Sequence, residues 1–184
     1  MSMIFNVLRI ASRRPQTAEY IAANGLDSFE IERNCGAIGA IKCLHRGGRF
    51  KLSGEGEWSI GIPVNDEYGE VIDAVAWSIY APTRFGTAFG IADALGMGSV
   101  TNPATWAFGQ NLQIFRTPLE WLQAGCDGCV ILDYRALPSW LGTVPGSISI
   151  EDRQHAELVY QGLNPPRFEK RRIFVRRDPL EQAA

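Results

Sequence analysis

The sequence predicts a single α+β domain, and three observations predict it. Apolar residues make up 46% of the 184 and charged residues 21%, a balance that supports a packed core. Helix starts and stops crowd the N-terminal third, whereas residues 37–80 switch to a period of two. No repeat, low-complexity tract or long linker divides the chain, so the domain is expected to run over 1–178, with 179–184 a disordered tail. The expected architecture is an antiparallel meander over about 37–80, extended by a strand–helix–strand unit over about 112–133 and by a C-terminal helix and edge strand.

Pro15 can open a helix through Thr17, Ala18, Tyr20 and Ile21, with Asn24-Gly25 as its stop. Asp27, three residues before Glu30, starts a second helix that Gly36 ends. Phe50 and Leu52 alternate with charge after the turn Arg46-Gly47-Gly48-Arg49. Trp58, Ile60, Ile62 and Val64 then share one face of a strand, and Pro63 assigns that strand to an edge or ends it. Residues 71–79, apolar on both faces, read as a central strand after a polar loop at 65–70. Thr87 can cap a helix over 88–95 closed by Gly96.

Thr117-Pro118-Leu119-Glu120 is the clearest local signal: a capping hydroxyl, Pro at the first helical position and Glu at the third. Its helix runs to Gly125 between strands at 112–115 and 129–133. A strand at 148–150 and a helix over 151–163 follow, stopped by Asn164-Pro165-Pro166, and 167–177 reads as a charged edge strand.

The first twenty residues lack the pattern of an export signal, because Asn6 and Arg9 interrupt the apolar stretch and Arg13 and Arg14 follow it. No run approaches the length of a membrane span. Four Cys in such a chain read as reduced thiols in the cytoplasm.

The candidate ligands for zinc are Cys35, Cys43, His45, Cys126 and Cys129. Cys43 and His45 would share a strand face, but seven residues between Cys35 and Cys43 are not a zinc-ribbon knuckle, so the thiols are read as buried and metal-free. Cys126-Asp127-Gly128-Cys129 follows a helix and opens a strand, the reverse of a thioredoxin-like pair. Glu55, Glu57 and Asp66 could face a hard cation, though such groups usually line solvated loops. No nucleophile elbow, P-loop or dinucleotide fingerprint is present, and no cofactor is expected.

Asp73 lies on the apolar face of its strand with Val71, Val75, Trp77 and Ile79. Such a carboxylate is either a structural hydrogen-bond acceptor, paired with Arg84 or Arg116, or a general acid/base. The enzyme reading joins Asp73 to Arg84, as the site for an anionic substrate, and to His155. His155 has Glu151 one turn earlier and reads as an exposed helix face.

Charge is unevenly distributed. Residues 1–51 hold eight Lys/Arg against four Asp/Glu, residues 52–166 four against thirteen, and residues 167–184 six against three. The basic ends either fold back on the acidic middle or meet a polyanion. Arg46, Arg49 and Lys51 surround Phe50, and Arg167, Lys170, Arg171, Arg172, Arg176 and Arg177 surround Phe168 and Phe174. Cations interleaved with rings suit phosphates and bases, or guard a sheet edge. Residues 77–98 and 112–133 resemble uncharacterised proteins encoded in prophages and plasmids near replication genes, and the resemblance implies a DNA-related setting. The expected function is therefore a non-catalytic accessory domain that contacts nucleic acid or another protein, with the Asp73 enzyme as the alternative.

Overall fold

In the computed structural model, which describes residues 2–165, the chain opens with three helices. α1 (Ser2–Ala11) presents Ile4, Leu8 and Ala11 on one buried stripe, the i, i+4, i+7 spacing of an amphipathic helix. α2 (Pro15–Ala23) starts at its proline, and Asn24 ends it with a side-chain amide donating to the Tyr20 carbonyl at 2.9 Å. α3 (Ser28–Cys35) is capped by Asp27, whose carboxylate accepts from the Phe29 and Glu30 amides at 2.8 and 3.3 Å, and ends at Gly36. The starts and stops of α2 and α3 fall where the sequence placed them.

Next comes β1 (Gly39–Arg46), which forms a hairpin with β2 (Arg49–Leu52). β3 (Glu57–Asn65) pairs antiparallel with β1 and with β4 (Val71–Ser78), so the expected antiparallel strands form, but β3 returns beside β1 rather than β2 and the order is β2-β1-β3-β4 instead of a simple meander. Pro63 pairs only with Ala74 of β4, because β1 ends at the Gly39–Gly61 pair, so its missing N–H breaks no ladder.

The sheet is not open. β5 (Phe85–Thr87) lies antiparallel to β4 and meets β2 at the Arg49–Thr87 pair, closing a five-stranded barrel in the order β1-β2-β5-β4-β3. The helix expected over 88–95 does not form. Thr87 is a buried strand residue, and Asp73 takes the amides of Phe89, Ile91 and Ala92 that a first helical turn would leave open. Tertiary hydrogen bonding overrides the local cap signal.

Strand alternation divides the barrel's side chains into two sets. One set, with Ala40, Ile60, Ile62, Val64, Val75 and Trp77, packs against α2, α3 and the second half of the chain. The other, with Ile41, Cys43, Phe50, Ala74 and Ala76, packs against α1. Gly39 and Gly61 lie beneath that helix. A Cβ on Gly39 would fall 2.7 Å from both the Leu8 carbonyl and the Ala11 methyl, and one on Gly61 would fall 2.7 Å from Leu8 Cδ2. α1 thus rests on bare backbone at Gly39, an approach that a larger residue there would prevent, whereas at Gly61 a larger residue would require the Leu8 and Ile41 side chains to shift.

The second half builds a four-stranded sheet in the order β6-β8-β7-β9, from β6 (Ala94–Leu95), β7 (Leu112–Phe115), β8 (Cys129–Ile131) and β9 (Ile148–Ile150). α4 (Met97–Thr101) follows β6, and α5 (Pro118–Gln123) joins the parallel pair β7 and β8 as the expected strand–helix–strand unit. Trp121, Leu122 and Val130 join the core of the barrel's outer face. Leu112, Ile114, Cys129 and Ile131 pack instead with α6 (Leu137–Trp140) and α7 (Arg153–Leu163). The sheet therefore buries both faces, which accounts for its apolar strands. The expected edge strand at 167–177 and the tail at 179–184 lie outside the described residues. No helix among the described residues is long and apolar enough to cross a membrane.

The α5 capping box is complete: Thr117 Oγ1 accepts from the Glu120 amide at 3.2 Å, and Glu120 Oε2 accepts from the Thr117 amide at 3.0 Å. Thr117→Ala is expected to lower unfolding stability by about 0.5–2 kcal/mol in urea titration, through the amide left without an acceptor. A change within 0.3 kcal/mol, roughly the error of such a comparison, would contradict that role for the cap.

Candidate functional site

The basic stretch of the first fifty residues becomes a two-stranded ribbon. Leu44 pairs with Lys51 and Arg46 with Arg49, so alternation aligns Lys42, Leu44, Arg46, Arg49 and Lys51 on one face. Phe50 pairs with His45 on the other face and is 5% exposed within the core beneath α1. The expectation that Phe50 stacks on bases is corrected: a residue between two outward cations on a strand must point inward.

Arg49 is also drawn away from the ribbon surface. Its guanidinium occupies the space that a side chain at Gly90 would need. It contributes to holding the Asp133 carboxyl below its ordinary range, an effect led by the hydrogen bonds from Arg135. Arg46, Lys42 and Lys51 keep their charge at the surface, with no carboxylate within ion-pair distance among the described residues. Two cations side by side on neighbouring strands repel one another, so the pairing of Arg46 with Arg49 does not help hold the hairpin together.

Lys42 pairs with Trp58 of β3, its Nζ 5.5 Å from the ring centroid. Arg14 donates to the Ala40 carbonyl at 2.9 Å and, with Lys42, Val7, Leu52 and Trp58, lines an open trough of about 400 Å³. Trp58 is thus the aromatic residue beside the cations. The sequence assigned it only to a core face, because the register of β1 against β3 links residues 16 apart and leaves no local signal. Arg167, Lys170, Arg171, Arg172, Arg176 and Arg177 lie outside the described residues.

Asp73 is 1% exposed, and both its oxygens are occupied. Oδ1 accepts from the amides of Ala74 and Phe89 at 2.8 and 2.9 Å, and Oδ2 from those of Ile91 and Ala92 at 2.8 and 3.4 Å. Neither arginine proposed as its partner pairs with it: Arg84 pairs with Glu57, and Arg116 with Asp152 at 2.9 Å. Asp73 pairs with Val64 near the start of β4, whereas Arg84 is bonded to Ser78 at its end. Five residue steps along β4, about 16 Å, separate Asp73 from Ser78, the residue that Arg84 adjoins. The structure does not bring together the acid and the anion-binding residue that the enzyme reading needs. His155 is not the exposed face residue expected. It is 1% exposed on α7, with Nδ1 2.9 Å from Glu151 and its ring edge-on to Tyr134 at 6.5 Å.

The five candidate metal ligands separate into two pairs and a lone thiol. Cys43 Sγ lies 3.4 Å from His45 Nε2, which lies 3.0 Å from Ser59 Oγ. Burial pushes the Cys43 thiol up and the His45 imidazole down, and both Cys43 and Ser59 are fully enclosed. Cys35 Sγ lies 3.7 Å from Cys126 Sγ. Cys129 faces the α6 and α7 side of the sheet, where burial pushes its thiol up to about 12. Glu57 engages Arg84 and Ser78, and Asp66 accepts from the Tyr68 and Glu70 amides of its own turn. Among the described residues no group of three or more His, Cys, Asp or Glu could hold a metal ion. No protein-family model, curated protein or solved structure matches the chain.

Proposed function

We propose that the chain is a non-catalytic accessory domain that binds nucleic acid through the outer face of the β1–β2 ribbon and the adjoining Arg14–Trp58 trough. One observation carries the reading. The described residues hold twelve Lys/Arg, and the seven with no described carboxylate in ion-pair distance are Arg9, Arg13, Arg14, Lys42, Arg46, Arg49 and Lys51. All belong to α1, the turn after it, or the ribbon. The five paired arginines are elsewhere.

The hairpin forms part of the barrel's outer surface, and cations there with no carboxylate partner among the described residues can release counterions from phosphates. The contacts available are phosphate contacts, so little sequence preference is expected. A DNA-related setting, as in the resemblance to prophage- and plasmid-encoded proteins, and a cytoplasmic location belong to the same proposal.

Fluorescence anisotropy with labelled single-stranded and duplex oligonucleotides tests it. Binding should be micromolar at moderate salt and weaken steeply as salt rises. The triple variant Lys42→Ser, Arg46→Ser, Lys51→Ser should flatten the slope of log K against log salt by about 2–3. The distant pair Arg135→Ser, Arg153→Ser should leave it unchanged. Absence of salt-sensitive binding by the folded wild type, or equal loss in both variants, would refute the ribbon as the contact surface.

A further inference from the structure

Two thiols 91 residues apart meet at the wall of a cavity of about 430 Å³, between the end of α3, the β3–β4 turn, the start of α4 and the end of α5. Asn34, Cys35, Asp66, Tyr68, Gly96 and Cys126 are among its lining residues. Both line the cavity, but Cys35 is buried and Cys126 partly exposed, so Cys126 is the more open of the two to a small reagent. Their Sγ atoms, at 3.7 Å, are about 1.7 Å farther apart than a disulfide bond requires, a gap within reach of side-chain rotation.

The backbone at Cys126 is unusual. At φ 65° it is the sole non-glycine residue with positive φ among the described residues, directly after Gly125 at φ 73°. The Cys126 amide donates to the Trp121 carbonyl at 3.0 Å, which keeps the chain in this turn. Glycine would fit that conformation more easily, yet a thiol occupies it, the kind of strained position that gathers at reactive sites.

We propose that Cys126 and Cys35 form a peroxide-reactive thiol pair, in which Cys126 is the attacking sulfur, Cys35 the resolving one, and the cavity the entry for a small hydroperoxide. The Cys126 thiolate attacks one oxygen of ROOH, an S–O bond forms, the O–O bond breaks, and the departing alkoxide takes a proton to leave as ROH. The Cys35 sulfur then displaces the hydroxyl of the Cys126 sulfenic acid. An S–S bond forms, and the hydroxyl leaves as water with the Cys35 proton. The two thiols are oxidised by two electrons and the hydroperoxide is reduced by two.

The charge environment supports the division of roles. The hydrogen bond from Cys35 holds the Cys126 thiol below its ordinary value, with Asn34 assisting, while burial and Glu30 oppose. The same bond, with burial, pushes the Cys35 thiol up. The C-x-x-C spacing does not define the pair, since Cys129 packs with α6 and α7.

The reduced full-length protein should be exposed to one equivalent of hydrogen peroxide at neutral pH, alkylated and mapped by mass spectrometry. A Cys35–Cys126 linkage is expected, with Cys126 reacting about tenfold or more faster than Cys43 or Cys129. In folded Cys35→Ser, a 1,3-dione probe should trap the sulfenic acid at Cys126. Four unreacted cysteines, a different linkage, or Cys126 reacting no faster than the buried thiols would overturn the proposal. The wild-type map decides even if the variant does not fold.

Discussion

Asp73→Ala is expected to lower unfolding stability by about 3–5 kcal/mol, because four backbone amides lose one shared charged acceptor. A charge-assisted hydrogen bond contributes roughly 1.5–3 kcal/mol, and water reaching the partly buried Phe89 and Ile91 amides offsets part of the loss. Asp73→Asn should cost less, about 2–3 kcal/mol. Its carbonyl can still accept from one pair of amides, while its NH2 confronts the other pair. Urea titration at neutral pH separates the variants. The Ala variant should also loosen the segment after β5, visible as faster amide exchange at Phe89, Ile91 and Ala92. An Asp73→Ala protein within 1 kcal/mol of wild type, about the smallest loss assigned to a single unmade hydrogen bond, would remove the structural role and return the residue to consideration as an acid/base.

Trp77→Ala should destabilise by a similar amount, about 3–5 kcal/mol, for a different reason. The indole is wholly enclosed, and its removal leaves a cavity between β4 and α2 that the surrounding residues fill only in part. Its Nε1–H donates to the Tyr20 hydroxyl at 2.8 Å, and the two rings meet edge to face at 6.4 Å. Tyr20→Phe deletes only the acceptor and should cost about 1–3 kcal/mol, the penalty for a buried donor left unpaired. Trp77→Phe keeps most of the ring volume and removes that donor. A double-mutant cycle should therefore find the Tyr20→Phe and Trp77→Phe losses less than additive. Strict additivity would show that the hydrogen bond holds nothing.

Much of this fold was legible because its signals were local. Asp27 beside Glu30, Pro15 and Thr117-Pro118 each satisfy or remove amide donors within one helical turn, so a few adjacent residues carry the whole argument. Alternation likewise specified the antiparallel strands of residues 39–78. Applied strictly, it would also have turned Phe50 inward between Arg49 and Lys51. The helix expected after Thr87 failed under the same logic, since the amides it would have capped belong to Asp73, at least sixteen residues earlier.

By itself, the sequence determined the α+β class, the ends of α2 and α3, the capped start of α5, the strand–helix–strand unit and the charge asymmetry, because each depends on neighbours along the chain. Only the tertiary structure decided that β5 closes the barrel against β2, that Lys42 lies over Trp58, and that Arg84 is claimed by Glu57. It also decided that Cys126 meets Cys35 rather than Cys129. Each of these contacts joins residues that no period or motif relates. Their partners are set by which apolar faces bury one another, and the polar groups are paired by the packing that results.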